Sequence, residues 1–206
     1  MKNLYERYLL PRLIHRACNS GPANFQRSLI VPQAEGTVLE IGIGSGLNLT
    51  FYDPEKVKAV VGIDRSKEVW ERRDVSVGEL GFEFVFEEGF AENLPLENHS
   101  VDTILTTFTL CSVSGLGASF EEMRRVLKPS GKLLFCEHGK APEKAVNLLQ
   151  NALNPVWKRM GGGCHLNRDI PTLIKANGFQ INEMDTGYIT GLRFASYNFW
   201  GSAKMK

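Results

Sequence analysis

By residue type and spacing, the segment Glu40-Ile41-Gly42-Ile43-Gly44-Ser45-Gly46 is the part of this chain best suited to chemistry. An apolar run, Val38 to Ile41, leads into glycines at every second position. Glycine permits positive φ and lets a ligand approach the backbone. A helix beginning beyond the loop, expected over residues 47–51, offers its N-terminus to a negative group. Nicotinamide and flavin enzymes use G-x-G-x-x-G, whose third glycine lets helix and strand pack closely. That position is Leu47 here, which disfavours a nicotinamide oxidoreductase. No Lys-Ser or Lys-Thr follows the glycines, so the loop is not a P-loop. Asp64 closes a second apolar run, Val60-Val61-Gly62-Ile63. An acid at the end of a second strand can accept hydrogen bonds from both hydroxyls of a ribose. Its plainer role is a helix cap before Ser66-Lys67.

His138 follows the apolar stretch Lys132–Glu137, just past the carboxyl end of a strand, where ligands bind in open α/β sheets. It is the best candidate for a base; the bland alternative is a histidine that bonds across its loop. Glu137 either orients the ring or is a buried structural acid. His165, in a Gly-rich loop, is the second candidate, while His15 and His99 read as surface positions. Cys18, Cys111, Cys136 and Cys164 form no C-x-x-C pair and fit no common zinc spacing, so no metal is expected. Nor do they make a disulfide scaffold, which points to a reducing cytoplasm. Cys111 and Cys164 read as small buried residues or as the lining of a thiol pocket. Trp157, Phe194 and Trp200 are core aromatics or the walls of an apolar site.

The elements that position these residues alternate. Strands are expected at 38–41, 57–63, 82–86, 101–106 and 132–137, with helices at 67–80 and 119–127. Strands and helices alternating at this spacing give a parallel sheet with helices on both faces. Ahead of them, residues 3–18 read as an amphipathic helix through Leu4, Tyr8, Leu9 and Leu13, kinked or divided by Pro11. It either covers an edge of the core or forms a lid. A short helix follows at 23–29. Residues 141–160 read as helix interrupted at Pro155, and 168–177 as a helix closed by Gly178. Phe179–Met184 and Tyr197–Ala203 have no crossover helix between them, so they are expected as an antiparallel pair. The expectation is a doubly wound α/β fold in a single domain: an N-terminal helical cap (1–35), a core (36–137), a helical insert (138–178) and a C-terminal strand pair (179–206).

In this order the motifs resemble those of the class I S-adenosylmethionine-dependent methyltransferases. The family's glycine motif matches Glu40 to Gly46, and its ribose-binding acid matches Asp64. Its Gly-Asp-Ala-Glu-x-Leu-Pro segment matches Gly89-Phe90-Ala91-Glu92-Asn93-Leu94-Pro95. Its fourth strand matches Val101-Asp102, and its Arg-Val-Leu-x-Pro-Gly-Gly turn matches Arg125 to Gly131. The resemblance implies S-adenosyl-L-methionine as cofactor, held by Glu40, Gly42, Gly44, Gly46, Asp64, Phe90, Ala91, Glu92 and Thr107. One departure stands out: the family's adenine-contacting Asp is Phe90, which cannot bond the adenine amino group. Stacking by Phe90 and the Ala91 backbone are expected instead, or Phe90 is core and Glu92 takes the polar role.

A narrower resemblance is to the methyltransferase-like 7 group, the thiol S-methyltransferases. It rests on Leu110-Cys111-Ser112-Val113, Glu137-His138, Asn154-Pro155-Val156-Trp157 and Gly163-Cys164-His165-Leu166-Asn167-Arg168. It implies a small thiol as methyl acceptor. Phospholipid and quinone methyltransferases share the core motifs and compete, as does a module that holds the cofactor without turnover. That group carries an apolar N-terminal anchor. Here Lys2, Glu6, Arg7 and Arg12 interrupt any apolar run, so a soluble relative without an integral membrane segment is expected. A net charge of +1 and a pI near 7.7 do not suggest a nucleic-acid binder. The partner expected is a small molecule; the oligomeric state is not legible.

Overall fold

The computed structural model of the chain describes residue 5 and residues 9–206. In order the elements are α1 (Leu10–Cys18), α2 (Gly21–Ile30), β1 (Gly36–Ile41), β2 (Val57–Asp64), α3 (Lys67–Trp70), β3 (Glu83–Glu88), β4 (Val101–Thr107), α4 (Leu116–Val126), β5 (Leu127–His138), α5 (Lys144–Met160), α6 (Ile170–Ala176), β6 (Phe179–Tyr188) and β7 (Tyr197–Met205). One seven-stranded sheet runs β3-β2-β1-β4-β5-β7-β6. β1 to β5 pair in parallel, while β7 pairs antiparallel with both β5 and β6. The fold is the expected doubly wound α/β sheet, mostly parallel and ending in an antiparallel pair. The strand order reverses between β1 and β4, which puts a ligand crevice at their carboxyl ends.

Alternation along the strands makes the two faces. Leu39, Ile41, Ile104, Leu133 and Phe135 join a core completed by Phe120 and Met123 of α4 and Ile170 and Ile174 of α6. Val38, Val60, Leu105, Leu134 and Cys136 point the other way, into a core with Ile30 of α2, Leu49 and Trp70. Both faces are apolar because the central strands are covered on both sides.

Several expected elements are shorter. The helix expected at 47–51 is only a 3-10 turn, Leu49–Phe51. Gly46 is left-handed at φ +71, and Asp53 precedes Pro54, so little more than a turn fits between them. The helix expected at 67–80 is a single turn ending at Trp70. Trp70 is held there by stacking on Phe84 and Phe86, at 5.1 and 4.9 Å between ring centroids. Val75, Val77 and Leu80 then pack on the second core outside any α-helix, with only a 3-10 turn at Val77–Glu79. The opposite happens at β5, which continues through the expected Ser130-Gly131 turn by a register shift between Val101 and Thr103 of β4. Helix α5 runs unbroken past Pro155, which is exposed. Pro11 lies in the first turn of α1. Of the apolar positions read for that helix, Leu4 and Tyr8 lie outside the described residues.

Candidate active site

The glycine loop joins β1 to the 3-10 turn, with Gly42, Gly44 and Gly46 at φ +73, +57 and +71. A Cβ on Gly42 would lie 2.2 Å from the Thr109 hydroxyl, and one on Gly46 would lie 2.9 Å from Leu49. At Gly44 the nearest atoms, the Gly42 carbonyl oxygen and Val69 Cγ1, lie 3.9 Å away in ordinary contact, so of the three it has the most room. Asp64 ends β2 with both carboxylate oxygens engaged. Oδ2 accepts from the Gly44 amide and Oδ1 from the Ser66 amide, each at 2.9 Å. The acid therefore pins the loop and also caps the entry to α3. Burial pushes its carboxyl above the ordinary range, and these amides pull it back.

Glu40 points into the protein. Its Oε1 accepts from Asn48 Nδ2 at 2.8 Å and its Oε2 from the Tyr52 hydroxyl at 2.7 Å. Asn48 Nδ2 also donates to Thr107 Oγ1 at 2.9 Å, and Asn48 Oδ1 accepts from Arg27 Nε at the same distance. Two expected cofactor contacts, Glu40 and Thr107, thus belong to one buried polar network under the loop. Burial raises Glu40 to about 7. Arg27, Asn48 and Tyr52 went unread in the sequence, where only their nearness to the glycine motif was a signal. Arg27 also donates to the Cys18 carbonyl at 2.6 Å, tying α1 down. From α1, His15 Nδ1 lies 2.6 Å from Ser45 Oγ in the glycine loop. His15, read as a surface position, is half-buried against that loop. His99 also has a partner: its Nδ1 lies 3.0 Å from the Leu127 carbonyl.

In the segment after β3 one of the two readings of Phe90 falls. Phe90 is 62% exposed, so it is not core. Ala91 is buried in the first core. Glu92 Oε1 accepts from the Gly115 amide at 2.8 Å, which commits that oxygen to the start of α4.

Beyond β4 the backbone is held from three sides. Thr109 packs on Gly42. Glu137, fully buried, accepts from the amides of Thr109 and Leu110 at 3.0 Å each. Arg168 donates to the carbonyls of Leu110 and Val113. Next to them His138 Nε2 lies 3.0 Å from Cys164 Sγ, which also accepts from Trp157 Nε1 at 3.3 Å. Cys111, Cys164 and one His138 nitrogen all lie within 4.8 Å of one another. Residues read one by one in the sequence thus form a single soft cluster at the ends of β4 and β5. His165 donates its amide to the Cys111 carbonyl at 2.9 Å, joining the two cysteine loops. Trp157 meets Phe194 edge to face at 5.9 Å, while Trp200 packs on the second core.

Residues 39–135 match the family model of the methyltransferase domain. The chain carries a class I methyltransferase domain. Rat thiol S-methyltransferase TMT1B is 38% identical over 138 residues, 66% of this chain and 56% of that protein. Human thiol S-methyltransferase TMT1A is 32% identical over 142 residues, 67% of this chain and 57% of that protein. The chain therefore spans a little over half the length of these relatives. In structure, a Thermotoga maritima S-adenosylmethionine-dependent methyltransferase, described as a possible histamine N-methyltransferase, superposes with a TM-score of 0.65. The two are 22% identical, and the match covers 98% of each chain, a likeness of fold. S-adenosylmethionine is the cofactor of this domain. The residues present fit it: no atom crowds Gly44 closer than ordinary contact, and each Asp64 oxygen, bonded to the amide of Gly44 or Ser66, keeps acceptor capacity for a hydroxyl. Among the described residues no helix is long and apolar enough to cross a membrane.

Proposed function

We propose that the protein transfers a methyl group from S-adenosylmethionine to the sulfur of a small, largely apolar thiol. The observation that carries this reading is the similarity to thiol S-methyltransferases at up to 38% identity. It is supported by where His138, Cys111 and Cys164 gather, at the strand ends that hold ligands in this fold. In this reading Asp64 and the glycine loop hold the cofactor, Phe90 covers the adenine, and the acceptor enters beside His138. A cytoplasmic location goes with it.

The cofactor brings a methyl already activated on a sulfonium, so the chain has mainly to place the acceptor in line and keep water out. Helix α1 contributes to that enclosure through His15 and through the Cys18 carbonyl that Arg27 holds. A free thiol, with a pKa near ~8.5, is only a few per cent ionised at neutral pH, and in this reading His138 takes its proton. Incubation with labelled cofactor and a panel of thiols, amines, phenols and phospholipids tests the acceptor class. Transfer to alkyl thiols is expected. Transfer to amine or lipid with none to any thiol would overturn the thiol reading and leave the methyltransferase domain standing.

A further inference from the structure

We propose that Cys111, His138 and Cys164 form a binding site for a thiophilic divalent cation of the zinc type, with one coordination position left for a thiolate. That last position rests on the thiol reading; the cation site does not. Two sulfurs and one imidazole nitrogen are the donors that zinc and cobalt(II) select over magnesium or calcium. Donors around a tetrahedral zinc stand roughly 3.5–4 Å apart, given Zn–S near 2.3 Å and Zn–N near 2.0 Å. Here they lie within 4.8 Å of one another, with His138 Nε2 and Cys164 Sγ at 3.0 Å, so small side-chain adjustments seat an ion.

The three donors come from separate segments, and the backbone of each is fixed. The Cys111 loop is held by Glu137 at the amides of Thr109 and Leu110, and by Arg168 at the carbonyls of Leu110 and Val113. The Cys164 loop turns through left-handed Gly162 and Gly163, at φ +62 and +96. It is bonded to the Cys111 loop through the His165 amide. His138 ends β5, paired with Asn198 of β7. Trp157 Nε1 donates to Cys164 Sγ, the outer-shell contact that steadies a thiolate ligand. Among the described residues His138 Nδ1 is buried without a partner, so no hydrogen bond from them fixes the tautomer; an ion on Nε2 would fix it, leaving the proton on Nδ1. Binding releases the thiol protons of Cys111 and Cys164 to solvent and gives a neutral site. A fourth ligand, the acceptor sulfur, would enter as thiolate with its own proton also lost to solvent. With the ion seated, His138 is a ligand, and the ion replaces the ring as the group that ionises the acceptor.

Cobalt(II) is the probe. The chelator-treated, reduced protein is titrated under anaerobic conditions and followed in the near-ultraviolet and visible. One equivalent per chain, with thiolate charge-transfer bands and strong tetrahedral ligand-field bands, is expected. Cys111→Ser, Cys164→Ser and His138→Ala should each weaken binding by about tenfold or more. Cys18→Ser, outside the cluster, should keep the bands. Binding of S-adenosylhomocysteine reports that each variant is folded. Absence of charge-transfer bands at stoichiometric cobalt, or cobalt bound as tightly by folded Cys164→Ser as by the parent, would overturn the site. Adding an alkyl thiol should shift the ligand-field bands, and an unchanged spectrum would overturn the open position. The acceptor panel is scored separately with chelator present and absent. A failed cation site with thiol transfer intact is thereby distinguished from a failed thiol reading with the cation site intact.

Discussion

Asp64 Oδ2 accepts a hydrogen bond from the Gly44 amide at 2.9 Å, so the acid that ends β2 holds the turn that ends β1. The two motifs separated by twenty positions are one object in the folded chain. The residue expected to hold the ribose also shapes the glycine loop.

Asp64→Ala should therefore weaken binding of S-adenosylhomocysteine by about 1.5–3 kcal/mol, the range for hydrogen bonds to a charged group. Calorimetric titration measures it. An affinity equal to that of the parent would remove Asp64 from the cofactor site.

Gly42→Ala and Gly44→Ala should separate packing from binding. Both pay about 1–2 kcal/mol for a left-handed backbone. Only Gly42→Ala also drives a methyl to within 2.2 Å of the Thr109 hydroxyl. Urea unfolding should show the larger loss in Gly42→Ala, while Gly44→Ala loses cofactor affinity out of proportion to its stability. Equal stability losses would contradict this division.

Phe90 offers adenine no side-chain hydrogen bond, and Glu92 Oε1 is taken by the Gly115 amide. A cofactor analogue with hydrogen in place of the adenine amino group should bind nearly as well as the parent compound. A large loss in that comparison would show that another polar group reads the amino group.

Glu40 gives a pH dependence whose sign can be worked out. Its folded pKa is raised by burial from 4.5 to about 7. Between those values the folded protein binds a proton that the unfolded chain has released. Stability from this group is greatest at the acid end, falls as pH rises through the window, and levels off above 7. Glu40→Gln keeps the shape and removes the titration. The stability difference between variant and parent should move in the variant's favour from pH 5 to pH 8, by roughly 3 kcal/mol at most. A difference independent of pH, measured by denaturant unfolding, would show that Glu40 does not titrate there.

Arg168→Lys should leave the Leu110 and Val113 carbonyls without their shared donor, because an ammonium cannot span both as the guanidinium does. A stability loss of about 1–3 kcal/mol is expected. Cofactor affinity should hold while the acceptor-dependent rate falls. A matching loss of cofactor affinity would place the effect in the glycine loop instead.

The sheet was legible because its signals are local. Apolar runs ending in glycine or acid mark buried parallel strands, and the missing crossover between the last two strands marks the antiparallel pair. The glycine motif and Asp64 could be read together because β1 and β2 are adjacent in sequence and in space. The helices at 47–51 and 67–80 were overestimated. Their length was decided by left-handed Gly46, Pro54 and the seating of Trp70 on Phe84 and Phe86, of which the last depends on a distant strand.

By itself the sequence determined the fold class, the glycine loop with the acid that follows it, and the presence of Phe90 in place of the family's acid. Only the tertiary structure decided that Glu40 and Thr107 face an internal network with Arg27, Asn48 and Tyr52, and that His15 reaches Ser45. It alone gathered Cys111, His138 and Cys164. Their linear spacing fits no metal motif because the three arrive from the β4 loop, the end of β5 and the turn after α5. The packing of those segments sets the distances between their side chains, and no local sequence pattern encodes that packing.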